Sequence, residues 1–182
     1  MSCYIADLFM TLDGFGTGTE GYWGKDGPEL KEQRTRIYAD PDQTLVFGAN
    51  TYRLMHRFAP AEMDPSHVPL NAANKLVISR SLQAPLEWAN CTLVAEDALD
   101  AIPRLKAESP VVLRGHGSIA MNRALLAAGL VDRLEVTVFP IVNGATGSNP
   151  VLAGLPDIDL ELVESELLDG RVQRLVYLPT LR

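Results

Sequence analysis

Cysteine and histidine are scarce in this chain. Its two cysteines, Cys3 and Cys91, fit neither a disulfide framework nor a zinc site. The three histidines, at positions 56, 67 and 116, form no HxH or HxxxH pair, so no metal is expected. With so little cysteine, a reduced, cytoplasmic setting is the default. Long hydrophobic runs are also missing. No membrane span is predicted, and no signal pattern precedes the first strand. A net charge of −7 argues against nucleic acid as the main partner, since phosphate binding wants a basic face. An anionic small molecule remains open, since it needs only two or three well-placed cations. Internal repeats, low-complexity segments and linkers are absent too, so residues 1–182 are read as a single domain with a substantial core.

What is present is a repeated strand–helix alternation. Apolar runs at Cys3–Met10, Thr44–Phe47, Lys75–Ile78 and Cys91–Ala95 read as strands. Between the first two lies a glycine-rich loop, Gly14 to Gly21, ending in Tyr22 and Trp23, which suits a lid. A helix then starts at Pro28 and stops before Asp40-Pro41. Glu29, Glu32, Arg36 and Gln33 share one of its faces by spacing. Pro60 to Pro69 reads as an irregular surface loop. Asp97 is placed to cap a helix reaching about Ala107. Near the end, Asp159–Glu164 and Arg171–Leu178 are strand-like and flank Asp169-Gly170, a hairpin signal. The fold class that follows is α/β. It has three layers, α/β/α, around a mixed, mainly parallel sheet with an antiparallel C-terminal hairpin.

The segment Pro110–Gly147 carries most of the information. It reads as a short strand (Val111–Leu113), a turn (Arg114-Gly115-His116-Gly117-Ser118), a helix (about Ile119–Ala128) and a strand (about Arg133–Pro140). Free N–H groups at a helix start, backed by the helix dipole, favour an anion, and glycine lets it approach the backbone. A second strand–glycine–helix junction, Gly48-Ala49-Asn50-Thr51, has a threonine placed to cap the helix or bind an oxyanion. Ser79-Arg80-Ser81 follows the third strand, and a hydroxyl–guanidinium–hydroxyl run there suits a phosphate.

Four of these pieces together resemble the dihydrofolate-reductase-like reductases, and most closely the reductase domain of riboflavin biosynthesis in stand-alone form. Thr11-Leu12-Asp13-Gly14 is similar to that family's S-L-D-G. Gly48 to Tyr52 is similar to its G-x-x-T-aromatic junction, and Val77-Ile78-Ser79-Arg80 to its strand ending in Ser-Arg. Gly117-Ser118 with Ala128-Gly129-Leu130-Val131-Asp132 and Pro140 is similar to its longest motif. The resemblance implies an NADPH-dependent reductase of a small heterocycle, similar to 5-amino-6-(5-phosphoribosylamino)uracil reductase. It implies Met10 and Trp23 near the nicotinamide, Gly48 and Thr51 at the phosphates, and Ser79 and Arg80 on the 2′-phosphate. Gly115, His116, Gly117 and Ser118 would cradle the pyrophosphate.

A proton must accompany the hydride. In the similar folate reductases the donor carboxyl sits on the helix after the first loop. The resemblance, counted back without gaps from Gly48, implies Glu32, with Asp13 as the alternative. Arg36 and Arg114 are the substrate-side candidates. Arg114 departs from the acidic residue the family uses near there to grip sugar hydroxyls, which also raises the alternative of a sensor that binds NADPH without catalysis. No deaminase signature is present. The apolar run Leu134–Phe139 is a candidate surface for a homodimer.

Overall fold

The structure is a computed structural model that describes residues 2–18, 25–57 and 65–182. Alternation along the first strand, β1 (Tyr4–Thr11), decides how the layers stack. Tyr4, Ala6 and Leu8 join the larger apolar core, while Phe9 packs on the opposite side and Asp7 faces charged partners there. Two strands, β6 (Val112–His116) and β7 (Arg133–Phe139), run parallel to β1 along its two edges. Beyond β6 come β3 (Gln43–Gly48), β4 (Lys75–Ile78) and β5 (Cys91–Val94), all parallel. Strands buried on both faces need continuous apolar runs, and Leu45-Val46-Phe47 is one. Two C-terminal strands, β9 (Ile158–Leu168) and β10 (Val172–Leu181), form an antiparallel hairpin. Because β10 joins β7, the sheet order is β5-β4-β3-β6-β1-β7-β10-β9.

Helices cover both faces. Ala101 and Ile102 of α4 (Ala98–Glu108), and Leu125 and Leu126 of α5 (Ile119–Ala127), pack on Tyr4, Ala6, Leu113 and Val136. Across the sheet, Tyr38 of α1 (Pro28–Ala39), Tyr52 of α2 (Ala49–Met55) and Leu70 of α3 (His67–Ala72) enclose Leu45, Phe47 and Val77. The segment read as an irregular loop therefore ends in a helix; its residues 60–64 lie outside the described ones. Buried Lys75 closes that helix by donating to the carbonyls of Leu70, Asn71 and Ala73 at 2.9, 3.0 and 2.7 Å. Burial pulls its pKa below the usual lysine value.

The hairpin is fastened to α1. Asp169 and Gly170 both adopt positive φ, 54° and 64°, as a tight primed turn requires. The Asp169 carboxylate accepts the N–H groups of Glu29 and Leu30 at 2.9 and 3.2 Å, so the hairpin tip supplies the cap that Gly27 has no side chain to give. Glu29 returns the bond by accepting the Asp169 N–H. Gly27 is needed for close approach, since a Cβ there would lie 2.3 Å from the Asp169 carboxyl carbon.

One expectation is overturned by this topology. Leu134–Phe139 lies within β7, bonded to β1 on one edge and β10 on the other, so it is not available as a pairing surface. Exposed apolar side chains lie instead on the hairpin, at Leu160, Leu162 and Leu167.

Candidate cofactor cradle and the charge network beside it

Neighbouring strands β3 and β6 end side by side, and the two junctions that follow them are stitched together. Ser118 Oγ accepts the Gly48 N–H at 2.6 Å. The Ser118 N–H donates to Thr51 Oγ1 at 2.8 Å, and the two hydroxyl oxygens lie 3.1 Å apart. A Cβ on Gly48 would stand 2.3 Å from Ser118 Oγ, so this junction closes only around glycine. Ser118 itself has φ +52°, a left-handed conformation costing a non-glycine residue about 1 kcal/mol. The first helical bond of α5 to this turn is Asn122 N–H to Ser118 O at 2.9 Å. The amides of Ile119, Ala120 and Met121 therefore have no intrahelical acceptor. Strand-end hydroxyls and free helix N–H groups together make an anion cradle.

The turn is shorter than the sequence suggested. Arg114, Gly115 and His116 belong to β6, leaving only Gly117 and Ser118 to turn the chain. Gly115 makes room for Tyr4, whose hydroxyl would lie 2.0 Å from an added Cβ, and not for a ligand. That hydroxyl donates to Asn122 Oδ1 at 2.7 Å. His116 turns to the α1 face, edge-on to the rings of Tyr38 and Phe47 and 3.1 Å from the Tyr38 hydroxyl. Burial pushes its pKa down to about 4, so at neutral pH the ring is uncharged packing.

One strand further along, buried Ser79 accepts the N–H groups of Ser81 and Leu82 at 3.1 and 3.2 Å. Arg80 is exposed, 3.4 Å from Asp97. Arg53, which sequence reasoning missed, reaches Ser81 Oγ from α2 at 3.3 Å. Its signal was positional: it lies one helical turn after Asn50, at the junction already singled out. Gly48, Thr51, Gly117 and Ser118 thus come together, with Ser79 and Arg80 one strand away from Gly48. Met10 packs into the core under α4 and α5. Trp23 lies outside the described residues.

A second polar assembly lies under α1. Asp7 is 1% exposed and accepts from Arg34 Nη1 at 2.6 Å and Arg114 Nη1 at 3.3 Å. Arg114 also donates to both oxygens of Glu135, at 2.9 and 3.2 Å, and to Gln43 Oε1 at 2.8 Å. Arg174 continues the chain to Glu135 at 3.2 Å and to Glu164. Strand pairing dictates this assembly, because Asp7 stands opposite His116 on one side and Glu135 on the other. Burial alone would raise the pKa of Asp7, but the two guanidiniums hold it at about 2.

The structure revises four candidates. The donors of Arg114 are spent on Asp7, Glu135 and Gln43, so it is no free substrate anchor. Glu32 and Arg36 lie on the exposed side of α1; the polar residues facing the sheet are Gln33 and Arg34. The shared face inferred from spacing is therefore split. Asp13 is occupied structurally. It accepts from the Thr11 hydroxyl at 2.6 Å and from the N–H groups of Asn143 and Gly144 at 3.1 and 2.8 Å. Those donors, Thr11 foremost, hold its pKa below the usual carboxylate value. The clamp joins the loop after β1 to the loop after β7, where β2 (Phe15–Thr17) pairs with β8 (Ser148–Pro150). Among the described residues, no cluster of metal-ligating side chains forms, and no helix is long and apolar enough to cross a membrane.

A mainly parallel core edged by an antiparallel C-terminal hairpin and flanked by helices is a dihydrofolate-reductase-like α/β fold. The chain belongs to the RibD C-terminal domain family, which matches residues 3–173. No curated protein matches its sequence. Among solved structures, a Shewanella sp. PV-4 protein whose name provisionally assigns it to riboflavin biosynthesis is 20% identical, with 98% and 99% of the two chains covered and a TM-score of 0.78. A pyrimidine reductase-like protein from Corynebacterium diphtheriae is 14% identical over 100% of this chain and 93% of that one, with a TM-score of 0.71. The deaminase and 5-amino-6-(5-phosphoribosylamino)uracil reductase of Thermotoga maritima is 14% identical, at a TM-score of 0.68. Matching 98% of this chain, it is itself covered over only 57%.

Proposed function

We propose that this protein is an NADPH-dependent reductase of a small heterocycle of the pyrimidine or pteridine kind. The observation that carries the reading is the stitched junction pair, Gly48–Thr51 against Gly117–Ser118, at the ends of adjacent strands. The residues fit the cofactor: the Thr51 and Ser118 hydroxyls and the helix N–H groups at the start of α5 stand together at the strand ends, where an anion can be received. Thr51, Ser118 and the start of α5 would hold the pyrophosphate, and Ser79 and Arg80 the adenosine 2′-phosphate. When bound, NADPH would supply the hydride. For the proton, Asp13 stays ionised at neutral pH and Glu32 faces outward, so we assign the proton to water. With Arg114 consumed by Asp7 and Glu135, the acidic grip on a sugar is missing at that position, and the heterocycle itself becomes the recognised part.

The test is to titrate NADPH into the purified protein by fluorescence, then follow loss of NADPH absorbance with pyrimidines and pteridines carrying or lacking the sugar chain. Oxidation coupled to reduction of one of them is the expected result. Binding with no turnover across the panel would favour a binding-only protein, and no binding would end both readings.

A further inference from the structure

Among the described residues, Arg53 is a cation at the strand ends that no carboxylate partners. Its terminal nitrogens rest on Asn50 Oδ1 at 3.2 Å and Ser81 Oγ at 3.3 Å, both neutral, and no acid pairs with it among the described residues. Arg80 is differently placed. It is shared at 3.4 Å with Asp97, which also caps α4 by accepting the Leu99 N–H at 3.1 Å. Both guanidiniums serve one short segment, Arg80 from within Ser79–Ser81 and Arg53 by reaching Ser81 from α2. The two serine hydroxyls there lie 3.2 Å apart.

A phosphomonoester carries close to two negative charges and is held best by two cations with hydroxyl donors nearby. A pyrophosphate linkage carries one charge per phosphorus and suits helix N–H groups. The cradle and the Ser79–Ser81 segment divide along that line. An arginine resting on neutral partners exchanges them for phosphate oxygens at little electrostatic cost. One already paired with a carboxylate brings that negative charge close to the phosphate and gains less from it. We propose that Arg53 contacts the 2′-phosphate and is the main determinant of preference for the phosphorylated over the unphosphorylated dinucleotide, with Arg80 second. This rests on the NADPH reading above and adds a residue that neither the sequence motifs nor the family likeness supplies.

The experiment measures dissociation constants for NADPH, NADH and adenosine 2′,5′-bisphosphate with the wild-type protein and the variants Arg53→Met, Arg80→Met and Asp97→Ser. Arg53→Met should weaken NADPH and the bisphosphate about tenfold or more, and leave NADH within about twofold. Arg80→Met should cost less. Asp97→Ser keeps a capping hydroxyl while releasing Arg80, and should tighten NADPH. Equal weakening of NADPH and NADH by Arg53→Met, or no change in their ratio, would overturn the proposal. Wild-type protein that binds NADH as tightly as NADPH would also overturn it while leaving the reductase reading intact. Binding of neither dinucleotide would overturn the reading itself.

Discussion

Two groups of arginines lie around the same sheet and are partnered differently. Arg34, Arg114 and Arg174 lie at the α1 face, each against a carboxylate: Asp7, then Asp7 with Glu135, then Glu135 with Glu164. Arg53 and Arg80 stand at the strand ends, one on neutral partners and one on a half-exposed aspartate. Burial sets the difference. A guanidinium under a helix must be matched on the spot, because an unpaired buried charge is costly. At an exposed strand end it can keep weak partners and trade them for a ligand. The number of arginines in a sequence therefore says little about anion binding, and their depth says a great deal.

That contrast can be broken from the buried side first. Arg114→Met strands Asp7 and Glu135 without a shared partner and should cost about 3–5 kcal/mol, read as a lower urea midpoint. Titrating the network in acid gives the next largest effect. The folded pKa of His116, about 4, lies below its ordinary 6.5, so the unfolded chain binds the extra proton between those values. Stability should fall by about 2–3 kcal/mol as pH drops from 6.5 to 4, and His116→Gln should flatten that slope. Asp7, held near 2 against an ordinary 3.8, adds a further loss only below about pH 4.

Smaller effects sharpen the comparison at the surface. Asp169→Ala removes the cap that the hairpin lends to α1 and should cost about 1 kcal/mol by thermal unfolding, with NADPH affinity unchanged. Glu32→Gln should change stability by under about 0.5 kcal/mol and leave turnover intact, since the side chain lies on the exposed side of α1. A large loss of turnover in that variant would return a carboxyl donor to the mechanism.

Much of this arrangement was legible in the sequence. Branched and apolar runs placed β3, β4, β5 and β7 within a residue or two, and Asp169-Gly170 marked the hairpin turn. The strand β6 was cut short because Arg114-Gly115-His116 has no apolar residue to signal it. Each of the three is paid off by a partner far along the chain: Asp7 and Glu135 for Arg114, Tyr4 for Gly115, Tyr38 for His116. Asp7 and Arg114 are 107 positions apart, and no local pattern connects them. For the same reason the face of α1 was misjudged. Period alone groups Glu32 with Gln33, and only the buried carboxylate of Asp7 shows that Arg34 turns inward. The cradle was easier to see, because glycine and hydroxyl residues at strand–helix junctions form local patterns. Arg53 was harder, since its one local mark is its position a helical turn after Asn50.

Hydrogen–deuterium exchange with and without NADPH tests the central claim most directly. Slower exchange at Gly48–Arg53, Ser79–Leu82 and Gly117–Met121, with β9 and β10 unchanged, is the predicted result. Saturating NADPH that protects none of these three segments, or only segments elsewhere, would contradict the account.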